Sequence, residues 1–286
     1  MKVNSSADPH GLRTKRRSAL RLKLGSTVYS AHRHALWLLG RYNWASRRQG
    51  DSLPHLHMAH RTPLMRQLRD VEMVYQRNKA ANLKLAAARL DGLVLGPGQV
   101  FSYWKLIGRP TYGKGYLDGV LLRGGRVCYG CGGGLCQLSN LIFWMTIHTP
   151  LKVIERHRHG YDVFPDSSRT QPFGSGATCF YPYGDLMIQN PTGEPFQLRL
   201  RVGEEYLEGE WRSASLPMYR YQIVERGHEM RHEWWGGCSR YNRLYRQTFT
   251  LEGDLIEDVL MVENHAMMMY DPFLEEPKGG GGSDLT

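Results

Sequence analysis

The sequence predicts an α+β protein, with N-terminal helices packed on a mainly antiparallel sheet. Two helix-like stretches come first. Apolar and basic residues interleave at helical spacing over residues 13–48, and a second run carries Leu64, Leu68, Val71, Val74, Leu83, Ala86 and Leu90. From Gly96 onward the texture changes to short β-rich segments divided by Gly and Pro turns, interrupted by one amphipathic helix.

In the first stretch, Leu20, Leu22, Val28, Leu36, Leu38 and Leu39 are the expected buried stripe. Residues 50–61 read as a polar, His-rich connection. Thr62-Pro63 then reads as a helix start, a capping residue followed by Pro at the first helical position, with Gly92 as the stop. Gly96-Pro97-Gly98 is a turn and residues 100–104 a strand. Gly124-Gly125, between Val120-Leu121-Leu122 and Arg126-Val127-Cys128, is a hairpin turn. A helix is expected from Cys136 to about His148, closed by Pro150. Its residues Leu138, Leu141, Ile142 and Met145 fall at i, i+3, i+4 and i+7, one buried face. Strand patterns follow at residues 151–155, 178–181, 186–188, 196–202, 206–211, 219–224 and 257–263. The expected organisation is a basic, partly helical extension (1–60), a core domain (61–205), a β-rich extension packed on it (206–276) and a flexible tail (277–286).

The net charge of +10 over 286 residues is a property of one end. Residues 1–50 hold eleven Lys or Arg and a single acid, Asp8, so the remainder is neutral. A segment of this kind attracts anionic lipid, RNA or an acidic partner, or it packs on the body as a solvated helix. The longest early apolar stretch, residues 35–39, is too short for a signal peptide, and nothing approaches a membrane span. The expected location is cytoplasmic or peripheral to a membrane. Five cysteines make an odd count, which suits a reducing compartment better than a disulfide framework.

The chemistry centres on Gly132-Gly133-Gly134-Leu135-Cys136-Gln137. Glycines permit positive φ and close approach of a ligand, so Gly133, Gly134 and Gln137 are candidate substrate contacts. A thiol at a helix start meets free N–H groups and the positive end of the helix dipole, which favour a thiolate and an oxyanion. Downstream lies Glu155-Arg156-His157-Arg158-His159-Gly160-Tyr161-Asp162. Cys136 as nucleophile, His159 as base and Asp162 or Asp166 as orienting acid would form a Cys–His acyl-transfer site, with the Cys-bearing helix arranged as in papain- or transglutaminase-like cores. Arg156, Trp234 and His265 are further substrate-binding candidates, Trp234-Trp235 as an aromatic floor. A zinc site from Cys128, Cys131, Cys136 and His157 or His159 competes with this reading. A lone CxxC is a weak signal, so no metal or other cofactor is expected. The glycine run lacks a following Lys-Ser/Thr and does not fit a nucleotide loop.

Several unlike motifs occur in one order: Asn78 to Ala86, Pro97-Gly98-Gln99-Val100-Phe101-Ser102, Gly115-Tyr116, Gly132 to Asn140, Arg156 through Phe164-Pro165-Asp166, Gly174 to Thr178 and Asp185-Leu186. In these the chain resembles the VanW-like family over about residues 60–200, and its flanks are similar to the family's short, soluble branch. The resemblance implies a link to glycopeptide (vancomycin) resistance or cell-wall peptide metabolism, not a reaction. Longer relatives tend to carry an acid where this chain has Gly176, and Cys128, Cys131 and Cys238 are not expected in relatives. Two readings of function result. One is a cysteine-dependent amidase, peptidase or acyltransferase acting on a small peptide, peptidoglycan precursor or aminoacyl donor. The other is a non-catalytic binding module for cell-wall peptide, with residues 1–50 contacting anionic lipid or RNA.

Overall fold

Alternating burial along residues 206–213, with Leu207, Gly209, Trp211 and Ser213 inward, marks a strand with one face on the core. The computed structural model describes residues 18–65, 72–163, 171–234 and 236–270. Among the described residues four α-helices run in the order α1 (Ala19–Leu38), α2 (Met73–Leu90), α3 (Tyr103–Ile107) and α4 (Cys136–Thr146). The strands are β1 (His55–Pro63), β2 (Val94–Leu95), β3 (Val100–Ser102), β4 (Asp118–Arg123), β5 (Arg126–Cys131), β6 (Lys152–Glu155) and β7 (Tyr161–Asp162). They continue as β8 (Met187–Gln189), β9 (Phe196–Val202), β10 (Tyr206–Ser213), β11 (Arg220–His232), β12 (Cys238–Phe249) and β13 (Leu255–Met268). The class is α+β, as expected.

The sheets are ordered β1-β10-β9-β2, β11-β12-β13-β7 and β3-β8-β6, with β4-β5 a separate hairpin. All named pairs are antiparallel except β13 with β7. Helix α4 lies on β1 and β10, and α2 on β9 and β4. Helix α4 packs closely on β10 at Gly209, where an added Cβ would stand 2.6 Å from Met145 Cε and displace that methyl. Trp211 fills the adjacent space and donates its indole N–H to Thr146 Oγ1 at 3.1 Å. Leu138, Leu141, Ile142 and Met145 are all buried, as their spacing predicts.

Three expectations need correction. Residues 55–63 form strand β1 rather than a connection leading into a helix at Thr62-Pro63. The strand is at a sheet edge, where a terminal Pro is tolerated, and the second helix begins at Met73. Residues 103–104 belong to helix α3 rather than to the preceding strand, since Ser102 caps it by accepting from the Lys105 N–H at 3.2 Å. The third concerns α1. Leu20, Leu22, Val28, Leu38 and Leu39 are exposed, and the buried position is Arg33. Arg33 donates to Glu155 Oε1 at 2.5 Å and to the Tyr183 carbonyl at 2.9 Å, while Trp37 donates to Ser102 Oγ at 3.1 Å. Polar anchors, not the leucines, decide which face of α1 meets the body.

Candidate functional site

The glycine run turns the chain from β5 into α4, and its backbone is enclosed by protein. Gly133 crosses Gly119 so closely that a Cβ on it would lie 2.1 Å from the Gly119 carbonyl carbon. Gly134 has φ +90°, and its open side is filled by the stem of Lys79, 2.2 Å from an ideal Cβ. The Asn82 amide donates to the carbonyls of Gly133 and Leu117, at 3.0 and 2.9 Å, and accepts from the Leu117 N–H at 2.8 Å. The glycines therefore meet backbone and a lysine stem. Gln137 ties α4 to β1, donating to Thr62 Oγ1 and the Pro63 carbonyl, both at 2.9 Å.

Cys136 opens α4, as its glycine-preceded position predicts, but its thiol points inward and donates to the Cys179 carbonyl at 3.5 Å. Burial pushes this thiol above its ordinary pKa, outweighing the two backbone contacts that oppose the shift. The helix dipole does not win here: the sulfur is a protonated donor at neutral pH, against the thiolate expected. Cys179, buried beside it, is pushed up further by burial and by Cys136.

His159 is half-buried, and burial holds its imidazole below the ordinary value. It makes no hydrogen bond to Cys136 among the described residues. Asp162 is buried and paired elsewhere: Arg240 Nη1 lies 3.5 Å from its Oδ2, and the Tyr270 hydroxyl donates to the same oxygen at 3.0 Å. Asp166 lies outside the described residues, as does Trp235. The papain-like pairing of thiol and imidazole is thus not formed in this arrangement. Arg156 braces the loop after residue 171, donating to the Gly176 carbonyl at 2.8 Å and to the Gly174 carbonyl, over the Phe143 ring. Burial, then Arg158, lowers its pKa to about 10.

Trp234 and His265 sit apart from Cys136, on the sheet formed by β11, β12 and β13. Trp234 is 91% exposed at the β11–β12 turn. His265 stacks on Tyr241 with ring centroids 4.2 Å apart and planes within 5°, and Arg231 lies 4.9 Å from the centre of the Tyr241 ring. The Tyr241 hydroxyl donates to Glu233 at 3.3 Å, which ties this stack to the turn that carries Trp234. Because Arg240 and Asn242 point into the core, Tyr241 between them faces outward.

The residues of the zinc reading do not gather among the described residues. Cys128 and Cys131 stand three apart on β5, hence on opposite faces, and donate to the carbonyls of Leu121 (3.5 Å) and Tyr116 (3.8 Å). Among the described residues no three His, Cys, Asp or Glu side chains are placed to hold a metal ion.

A buried polar network beside Cys179 was not singled out from the sequence. Asp185 accepts from Ser102 Oγ at 2.5 Å and from the Trp104 N–H at 3.0 Å, with Arg33 Nη1 at 3.8 Å. Burial raises its pKa to about 6 against the opposing pull of these partners. Glu155, one strand away, goes the other way. Burial alone would raise it, but hydrogen bonds from His157 (2.9 Å), Arg33 and the Asp185 N–H hold it below the ordinary value. The sequence signals were present, Glu155 beside Arg156 and Asp185 beside Leu186, but nothing local linked them to Arg33.

Residues 78–212, which span Cys136, Glu155, Cys179 and Asp185, match the family described as VanW like protein. The chain is 34% identical over 200 residues to the vancomycin B-type resistance protein VanW of Enterococcus faecalis, covering 70% of this chain and 72% of that protein. The chain belongs to the VanW-like family. A second relative, the uncharacterized protein YoaR of Bacillus subtilis, is 27% identical over 128 residues, 44% of this chain and 40% of YoaR. No solved structure matches. The segment matched by the family, residues 78–212, includes Glu155 and Asp185 but not Arg33, nor the sheet that carries Trp234 and His265.

Proposed function

We propose that this VanW-like protein serves in vancomycin resistance or cell-wall peptide metabolism as a binding module for a cell-wall peptide or peptidoglycan precursor. The relative named for vancomycin resistance supplies the biological context. The observation that carries the binding reading is the Cys136 thiol, protonated and spent on the Cys179 carbonyl without an imidazole partner. The surface suited to a ligand is the outward Tyr241–His265 stack with Arg231 and exposed Trp234. Aromatic faces and a guanidinium are the groups that hold peptide side chains and carboxylates. Titrating the protein with a soluble peptidoglycan-precursor pentapeptide tests this. Binding that weakens at least about fivefold in W234A and H265A, and is unchanged in C136S, is expected. Undetectable binding, or binding indifferent to Trp234 and His265, overturns it.

The second reading is acyl transfer by Cys136 with His159 as base and Asp162 or Asp166 as orienting acid. What favours it is His159, which burial keeps neutral and so able to accept a proton. It requires the imidazole to swing to the Cys136 sulfur. Alkylation by iodoacetamide separates the two readings. A Cys136 slower than free cysteine at pH 7.5 supports binding alone, and a faster one, with turnover lost in C136A, supports catalysis.

A further inference from the structure

Helix α1 is built with its faces reversed relative to a helix that merely packs on a domain. Its docked side carries Ser26, Ser30, Arg33 and Trp37, held by Glu155, the Tyr183 carbonyl and Ser102. The opposite side carries Leu20, Leu24, Val28, Ala31, Ala35 and Leu38, spaced at i, i+4, i+8, i+11, i+15 and i+18, which is one stripe on a 3.6-residue helix. Its large side chains are open to solvent: Leu20 68%, Leu24 58%, Val28 65% and Leu38 81% exposed. Leu22 is exposed too, although it shares the side of Arg33, so the first turns project beyond the body.

Charge decides what can cover this stripe. At 100° per residue Arg21 and Lys23 fall on its two margins. Arg13, Lys15, Arg16 and Arg17 precede the helix in sequence, and no Asp or Glu occurs between Asp8 and Asp51. A second copy would bring the same positive rim and be repelled, whereas RNA offers the leucines nothing apolar to enter. An anionic bilayer satisfies both parts, with acyl chains for the stripe and headgroup phosphates for the rim. At 20 residues the helix is about 30 Å long, and no described helix is long and apolar enough to cross a membrane.

We propose that α1 lies in the plane of an anionic membrane surface, with the Leu20–Leu24–Val28–Leu38 stripe inserted below the headgroups and Arg21 and Lys23 at phosphate level. The buried Arg33 fixes the rotation of the helix, so the body is held over the membrane on its other side. This goes beyond the peptide-binding reading and does not depend on it.

Co-sedimentation of the full chain with vesicles tests the proposal. Vesicles containing phosphatidylglycerol are expected to retain the protein, and pure phosphatidylcholine vesicles to retain at least about tenfold less. L24E/V28E alters only exposed positions, so it is expected to keep the wild-type melting temperature and lose at least about tenfold in phosphatidylglycerol binding. R21Q/K23Q is expected to weaken it by a smaller factor. The proposal is overturned if L24E/V28E binds as wild type. It is equally overturned if wild type binds no vesicle but self-associates through the stripe, or if a single-stranded RNA rather than lipid is the ligand lost in L24E/V28E.

Discussion

At the level of single residues, the run Gly132-Gly133-Gly134 shows how one sequence signal admits two physical causes. Glycines beside a cysteine suggest a ligand approaching the backbone, yet what approaches Gly133 is the backbone of Gly119. The two causes make opposite predictions. Gly133→Ala places a methyl group 2.1 Å from a carbonyl carbon that cannot rotate away, so it is expected to cost about 3 kcal/mol or more of folding stability, read as a lower urea midpoint at unchanged slope. A ligand-clearance role would leave stability intact and reduce binding alone. The same split explains why the state of Cys136 was not legible. Its place at a helix start could be read from the sequence. The Cys179 carbonyl that accepts from its thiol lies 43 residues on, in a segment whose pattern reads as a strand over 178–181 but which forms only isolated bridges at Thr178 and Phe180.

Among the elements, those with a single decisive pattern were legible. The apolar spacing of α4, the Gly124-Gly125 turn between β4 and β5, and the full extent of β9 all follow from local sequence. Strand β12 did not, because its inward residues include Arg240 and Asn242, which are buried through Asp162 and the Phe173 carbonyl rather than through apolarity. The face of α1 failed for the same reason. Its docking rests on Arg33, whose partner Glu155 is 122 residues away. Removing that anchor by Arg33→Met leaves Glu155 and Asp185 without a cation in a buried site, at a cost of about 3 kcal/mol. Limited proteolysis is expected to cut within α1 of the variant well before the body, and the Asp185 carboxyl, followed by carbon-13 NMR, is expected to titrate above the wild-type value of about 6. Wild-type proteolysis kinetics in the variant would show that Arg33 is not what holds α1 on the body.

Across the whole molecule, the half-buried histidines set how stability responds to acid. His57, His60, His148 and His159 are each held below the ordinary histidine value, first by burial and, for His60, also by the charge of His148. A histidine whose pKa is lower folded than unfolded takes up its proton more readily in the unfolded chain. The stability it contributes is complete above about pH 6.5 and is lost as pH falls through that value toward the folded pKa. Four such groups act together, so the melting temperature is expected to drop between pH 7.5 and 5. Asp185 opposes them. Its pKa is raised to about 6 from 3.8, so the folded state binds the extra proton and gains stability as pH falls from about 6 to 4. Glu155, held low, turns destabilising only below its ordinary value near 4.5, outside this window. An Asp185→Asn variant, lacking the opposing group, is expected to lose melting temperature more steeply than wild type over pH 6 to 5. Thermal melts at half-unit steps measure both slopes. A melting temperature that is flat or rises toward pH 5 in Asp185→Asn, where nothing opposes the histidines, would mean that the imidazoles are charged in the folded protein, and with that the neutral His159 on which acyl transfer depends would be lost.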